Sequence, residues 1–264
     1  ILGALAVFCI GAAACESKGI AYGDVNSVIA VMNPELWDEV AEDVYSALEP
    51  TIRTVRDEKT FTVTYQQPGA ENWSDLRRFR QLLVVGTATD PLVIEALDRA
   101  NEKISQPGLH QSGDGWARGQ SVTLVLLPEG GGADDLRPHL PAVNTLLDSQ
   151  YRGWVHRRMY VSGADSALAD TLYTEAGFAL MLPQVYKRST TDSVFMFRND
   201  NPDPSELIRQ IGVTWKTPIP ADLQAEGILE WREQLVAAYY SEPQVNSLDN
   251  VQAGPMDYRG RPAY

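Results

Sequence analysis

Three short apolar segments constrain the fold of this chain more than any other feature. They are SVIAVM at 27–32, QLLVVG at 81–86 and VTLVLL at 122–127. Each has the length of a single β-strand and is too short for a buried helix. Runs of this kind indicate strands that are covered on both faces, as in a parallel sheet with helices on each side.

Amphipathic helices are predicted between these strands. Asn33-Pro34 places a capping side chain ahead of a proline in the first helical turn, and Asp90-Pro91 marks the start of a second helix. A longer helix is predicted from Leu136 to Trp154, with an interruption near Pro138 and Pro141. Residues 106–119 are rich in Gly, Ser and Gln, which predicts a mobile loop.

The order of these segments predicts an α/β (α+β) fold with mixed β-sheets and helices packed on them. Two halves that each resemble a split βαβ unit would also account for the order. Residues 27–264 are expected to form one composite domain, with possible halves at 27–130 and 133–264 joined by the flexible Gly130-Gly131-Gly132. Its second half is predicted to contain strands at 178–182, 193–197 and 208–215, a helix at 221–240 and the start of a hairpin at 254–264.

The amino terminus has the pattern of a bacterial lipoprotein signal. Residues 1–14 are apolar and uncharged, three alanines precede Cys15, and Glu16-Ser17-Lys18 follows. We expect residues 1–14 to be a signal peptide whose start is missing, Cys15 to carry lipid, and residues 15–26 to form a tether. A cleaved secretory signal and a buried helix are the alternatives, although this run is too short to cross a bilayer.

Composition agrees with an extracytoplasmic globular body. The net charge is −13 and the signal segment has no charged residue, so the mature part carries the whole excess. Such an acidic body argues against binding to nucleic acid and against adhesion to anionic lipid by charge alone. Cys9 and Cys15 are the only cysteines, so the mature fold is expected to contain no disulfide and no thiolate metal site.

Several segments of the chain resemble the DUF4837 family of bacterial lipoproteins. They include the opening SVIAVMNPELWDE, FRQLLVVG, DGWARGQ, YRGWVHRRM, FALMLPQVYK and FMFRND. The resemblance covers nearly all of the chain after residue 26. It implies a lipid-anchored protein of the cell envelope, on the periplasmic side or at the outer membrane in a Gram-negative cell, and it implies no catalytic residue.

Motifs that define a chemistry are missing from the sequence. There is no Gly-x-Ser-x-Gly for a hydrolase, no His-Glu-x-x-His for zinc and no phosphate-binding glycine loop. The three histidines are not paired at ligand spacing, and Asp134-Asp135 fits a helix cap better than a calcium loop. We therefore predict no catalytic residue, no metal and no cofactor.

One cluster is a candidate for ligand binding, namely Arg152, Trp154, His156 and Arg157, with Arg158 beside them. Guanidinium groups and an indole ring suit a carboxylate, a phosphate or a sugar ring. The alternative interpretation is a core tryptophan with charges that pair with nearby acids. A second basic group, Arg77, Arg78 and Arg80, would strengthen the first interpretation if the fold brought the two groups together.

These observations favour a lipid-anchored envelope protein that serves as a binding or assembly module. Its partners would be the membrane, through lipid on Cys15, and an envelope protein or glycan. The alternatives are a hydrolase or transferase that acts on envelope glycans or peptides, and a small-ligand receptor with a cleft between its halves.

Overall fold

The computed structural model describes residues 18–53, 57–191, 194–200, 209–216, 225–239, 256–258 and 261–263. The chain divides into two compact units, Ile1–Gly163 and Ala164–Tyr264. The predicted signal peptide and Cys15 lie outside the described residues. Across the part of the chain that is described, no helix is both long enough and apolar enough to cross a membrane.

The elements of the first unit follow the predicted alternation of strands and helices. They are β1 (Ser27–Val31), α1 (Pro34–Leu48), β2 (Thr51–Arg53), β3 (Asp57–Lys59), β4 (Thr62–Gln66), α2 (Trp73–Leu76), β5 (Gln81–Thr87), α3 (Pro91–Arg99), β6 (Gly108–Gly113), β7 (Ser121–Leu127), α4 (Ala133–Leu136) and α5 (Leu140–Met159). The α/β prediction is confirmed.

A five-stranded sheet in the order β4-β1-β5-β7-β6 forms the centre of this unit. Strands β4, β1, β5 and β7 are parallel, and β6 pairs with β7 in the antiparallel direction at one edge. The sheet is therefore mixed. From β1 the chain crosses to β4 on one side of β1 and then to β5 on the other side. The order in which the strands are connected therefore reverses between β1 and β5.

Helices cover both faces of the sheet, as the continuous apolar strands predicted. On one face, α1 and α5 bury Val40, Val44, Val143 and Leu147 against the strands. On the other face, α3 buries Leu92, Val93 and Ala96. Alternate residues of each strand pack into the hydrophobic cores on the two faces of the sheet. This explains why the three predicted strands are apolar throughout.

Local signals set where the helices begin. The Asn33 side chain accepts a hydrogen bond from the Glu35 amide at the start of α1, as predicted. The predicted interruption of the long helix is a turn of 3₁₀-helix at Arg137–His139, between α4 and α5. Proline at 138 and 141 lacks an amide proton, so the backbone there cannot continue one α-helical ladder.

Residues 106–119 were predicted to be a mobile loop, and that prediction is wrong for β6. His110 and its neighbours pair along the whole length of β7, from Gly108 opposite Leu126 to Gly113 opposite Ser121. A polar strand is tolerated here because an edge strand has one neighbour and is half-exposed.

Part of the segment predicted as a tether packs on the body. From Gly19 to Tyr22 the backbone forms hydrogen bonds with the body: the Ala21 amide donates to the Arg118 carbonyl (2.9 Å) and the Arg118 amide to the Gly19 carbonyl (2.8 Å). Ala21 is buried. This segment, Gly19–Tyr22, is called the strap below, and it belongs to the first unit.

The boundary between the units lies after Gly163, about thirty residues beyond the predicted glycine hinge. The physical reason is the core: Leu136, Leu140, Val143 and Leu147 follow the glycines and pack on the first sheet. Residues 133–159 therefore belong with the sheet that precedes them, and the division differs from the expected halves.

The second unit contains α6 (Ser166–Ala176), β8 (Lys187–Thr191), β9 (Val194–Asn199), β10 (Arg209–Val213), α7 (Ala225–Tyr239), β11 (Met256–Tyr258) and β12 (Arg261–Ala263). Strands β8, β9 and β10 form an antiparallel sheet, and β11 pairs with β12 as the predicted hairpin. The strand predicted at 178–182 is wrong, because this segment has no sheet partner and instead buries Leu182 beside Leu172 and Phe197. Since the first sheet is largely parallel and the β8–β10 sheet is antiparallel, the described residues do not form two similar split βαβ halves.

Candidate functional site

Helix α5 carries all of the predicted ligand-binding residues, but it divides them between two sides. Arg152 and His156 lie one helical turn apart and line one concavity. Trp154 and Arg157 lie three positions apart and line another. The four residues therefore do not form one patch, as a helix with 3.6 residues per turn requires.

The concavity beside Arg152 and His156 is called the apolar cleft. It has a volume of about 550 Å³ and includes Ile52, Phe61, Val155 and Met159. Arg152 is 78% exposed and its Nε donates to the Asp148 carboxylate one turn earlier, at 2.6 Å. Arg152 thus pairs with a nearby acid, as the alternative interpretation expects.

The concavity beside Trp154 and Arg157 is called the polar groove. Its volume is about 540 Å³, and it lies where the amino ends of β5 and β7 meet α5. Its lining includes Arg80, Gln81, Ser121, Gln150, Trp154 and Arg157. The fold has thus brought Arg80, from the second basic group, into the same groove as Arg157 from the first.

The strap and the strand ends hold the groove residues in place. Arg80 donates from its backbone amide to the Tyr22 carbonyl (2.7 Å) and from Nε to the Gly23 carbonyl (3.1 Å). Across the groove, Gln150 Nε2 donates to Ser121 Oγ at 3.0 Å, which links α5 to β7. The Trp154 ring lies nearly parallel to the Tyr151 ring, with centroids 6.4 Å apart.

Two buried glutamines at this edge of the sheet differ in their hydrogen bonding. Gln120 is 4% exposed, and its amide donates to the Arg77 and Phe79 carbonyls and accepts from the Trp116 amide. Gln81 is 5% exposed, and its Oε1 has no hydrogen-bond partner. Among the described residues it is the one buried side-chain polar atom left unsatisfied. The Gln81 carbonyl thus lacks the hydrogen-bond donor that buried polar groups normally have.

The polar groove is electropositive although the chain as a whole is acidic. Its lining contains Arg80 and Arg157 and includes neither Asp nor Glu. Within the described part of the chain, no carboxylate lies at ion-pair distance from the Arg157 guanidinium. Arginines, amides and hydroxyls donate and accept hydrogen bonds, so these groups suit the binding of a polar ligand.

A third concavity lies at the opposite edge of the sheet, where parallel α/β folds commonly bind ligands. This carboxyl-edge crevice has a volume of about 260 Å³ and is lined by the ends of β5 and β7 and the start of α1. Its polar groups bind one another: the Asp90 carboxylate accepts from the Thr87 amide (2.6 Å) and hydroxyl (3.1 Å). Asp135 in the first turn of α4 accepts from the Gly132 amide at 3.0 Å, which agrees with the predicted helix cap.

The remaining candidate residues do not join a common site. Arg77 pairs with Glu95 at 3.7 Å, and Arg78 lies over the backbone of Gly19. His110 Nε2 lies 2.8 Å from the Gln106 carbonyl oxygen. Across the described residues no group of three or more His, Cys, Asp or Glu side chains could hold a metal ion.

Sequence reasoning missed the glutamines and serines of the polar groove. Gln81 is the polar first residue of an apolar strand, and Gln150 lies on the helix stripe between two better signals, Leu147 and Trp154. Neither position carries a local pattern that predicts a site. The polar first residue of QLLVVG was the only available hint, since glutamine is mostly exposed in folded proteins.

Compared with protein-family models, with curated proteins and with solved structures, the chain has no significant match. The resemblance to DUF4837 lipoproteins therefore stays a prediction.

Proposed function

We propose that this chain is a lipid-anchored binding module of the cell envelope, and that the polar groove is its binding surface. The partner would be an envelope protein or glycan with polar groups. One observation carries the proposal: Arg80, Trp154 and Arg157 converge on one groove, although they come from distant parts of the sequence. Convergent polar groups around a concave surface are the usual mark of a ligand site.

The anchor is proposed from the lipoprotein signal that ends at Cys15. Only Glu16 and Ser17 separate Cys15 from Lys18, whose Nζ donates to the Asp114 carbonyl of the body. Three residue steps span at most about 11 Å. A lipid on Cys15 would therefore keep the strap close to the bilayer. The polar groove would lie close to the bilayer as well, because its Arg80 is hydrogen-bonded to the strap.

Membrane fractionation tests the anchor. Cys15→Ala is expected to release the protein from membranes and to abolish labelling by a fatty-acid precursor, while the fold persists because residue 15 precedes the packed strap. Labelling that survives the substitution would contradict the lipid anchor.

Photo-crosslinking in intact cells tests the binding surface. Ser149 is exposed and lines the groove, whereas Thr145 is exposed one turn earlier on α5 and is not among the lining residues. A photoreactive residue at 149 should yield a discrete envelope adduct that the same residue at 145 does not. Equal labelling from both positions, or none from either, would contradict a binding role for the groove.

A further inference from the structure

We propose that the polar groove binds an acidic saccharide, meaning a hydroxylated sugar ring that carries a carboxylate or a phosphate. This inference rests on the proposed function and names the class of ligand. Three features of the groove support it: a pair of arginines, an unsatisfied buried carbonyl and an indole ring.

The arginines define the charge of the ligand. Arg80 lines the groove, and its Nε hydrogen bond to the Gly23 carbonyl holds the guanidinium in place. Arg157 enters from α5, and its Nη1 group lies over Gly153, where the missing side chain leaves room. Guanidinium groups match carboxylates and phosphates because they donate two parallel hydrogen bonds. A cationic ligand would meet two like charges with no compensating acid in the lining.

The Gln81 carbonyl offers the groove an acceptor that a hydrogen-bond donor on the ligand would satisfy. Gln81 lines the groove with only 5% of its surface exposed, and its Oε1 is unpaired. A carboxylate is an acceptor only, so an anion alone leaves this carbonyl without a partner. A hydroxyl group on the same ligand supplies the missing donor after a small rotation of the amide.

The indole ring of Trp154 and the neutral polar groups of the groove are the reason for proposing that the ligand contains a sugar ring. Trp154 is half-buried in the groove wall, and Gln150 and Ser149 lie one turn earlier on the same helix. A flat apolar surface bordered by amides and hydroxyls suits the C–H face and the hydroxyl rim of a sugar. Together the three features fit one ligand with a negative group, hydroxyl donors and an apolar face.

Calorimetric titration of the full chain in detergent tests this assignment. The probes are a short oligogalacturonate, the matching neutral galacto-oligosaccharide and inorganic phosphate. We expect the acidic oligosaccharide to bind at least about tenfold more tightly than the other two, and its affinity to fall as ionic strength rises because the groove is open to solvent.

Arg157→Gln and Arg158→Gln form a matched pair of variants. Both remove one positive charge from the last turns of α5, but Arg158 does not line the groove. Arg157→Gln should weaken binding of the acidic oligosaccharide about tenfold or more, the loss expected for one charged hydrogen-bonded contact. Arg158→Gln should change it by less than about threefold, as expected for a solvent-screened charge.

Each other outcome overturns the assignment. Equal binding of the neutral oligosaccharide removes the role of the arginines, and equal binding of phosphate alone removes the role of the sugar. If no probe binds while the crosslink from residue 149 persists, the acidic saccharide is wrong and the binding module stands. If both experiments fail, the proposed function falls as well.

Discussion

Replacing each of the two buried glutamines by methionine should change stability in opposite directions. Gln81 and Gln120 lie at the same edge of the sheet and are 5% and 4% exposed. Methionine has a similar length and no polar atom, so Gln81→Met and Gln120→Met are the same substitution in two hydrogen-bonding environments. The comparison isolates the contribution of the amide group.

The expected magnitudes follow from the hydrogen bonds. Gln120→Met removes the partners of the Trp116 amide and of the Arg77 and Phe79 carbonyls. Each buried group left unpaired costs about 1–3 kcal/mol, so Gln120→Met should lower the free energy of unfolding by about 3 kcal/mol or more. Gln81→Met removes an unpaired carbonyl and should raise the free energy of unfolding by about 1 kcal/mol.

Native-state hydrogen exchange of the slowest amides in β5 and β7 measures this for the first unit without interference from the second. A destabilisation of about 1 kcal/mol or more by Gln81→Met would contradict an unpaired Gln81 carbonyl. It would mean that the Gln81 carbonyl has a partner in solution, and the groove would no longer demand a donor from its ligand. The same variant should also weaken binding of the acidic oligosaccharide, so stability and binding would change in opposite directions.

Three further substitutions test other parts of the structure. Gly153→Ala should raise the free energy of unfolding, measured by urea titration, by about 0.5–1 kcal/mol, because glycine is a poor helix former. An added Cβ would meet only Arg157 Nη1, at 3.5 Å. A loss of stability would contradict this prediction. Arg152→Gln should alter thermal stability by less than about 1 kcal/mol, since its ion pair with Asp148 is exposed, and a larger loss would point to an unrecognised role in the apolar cleft. Burial, and then the Asp38 charge, raise the pKa of Tyr65 above its ordinary value of 10.0. The folded state therefore holds this proton more tightly, and the stability that Tyr65 contributes is complete below about pH 10 and is lost as pH rises through its folded pKa. In Tyr65→Phe the free energy of unfolding should fall less steeply above about pH 10, and identical slopes would contradict the raised pKa.

The first sheet was predictable because its signals are local. Val28, Leu83 and Val125 lie in uninterrupted apolar runs, and burial on two faces is the simplest cause of such runs. Asn33 and Pro34 fixed the start of α1 through a side chain and a ring that act within three residues. These features need no knowledge of distant parts of the chain.

Elements that depend on distant partners were not predictable in the same way. Strand β6 has a loop-like sequence and becomes a strand only because β7 offers an unpaired edge. The segment 178–182 is apolar enough for a strand, yet Leu182 is buried without joining a sheet. The strap has the sequence of a tether, because its partners Arg78 and Arg118 lie many residues away along the chain.

In the candidate site, too, some features follow from local sequence and others depend on distant contacts. That Arg152 and His156 share a helix face follows from their spacing, and the structure confirms it. That Arg157 faces Arg80 and Gln81 follows only from how α5 crosses the strand ends. Hydrogen-bond satisfaction is a property of the packed state, so the difference between Gln81 and Gln120 has no counterpart in the sequence.

Hydrogen exchange with and without the oligogalacturonate tests most directly whether the polar groove is the binding surface. If the groove is the binding surface, the ligand should slow exchange of amides at 119–121 and along 149–157, and leave those at 86–90 and 131–135 unchanged. Slowed exchange at 86–90 and 131–135, with no change along 149–157, would place the ligand in the carboxyl-edge crevice and rule out the polar groove.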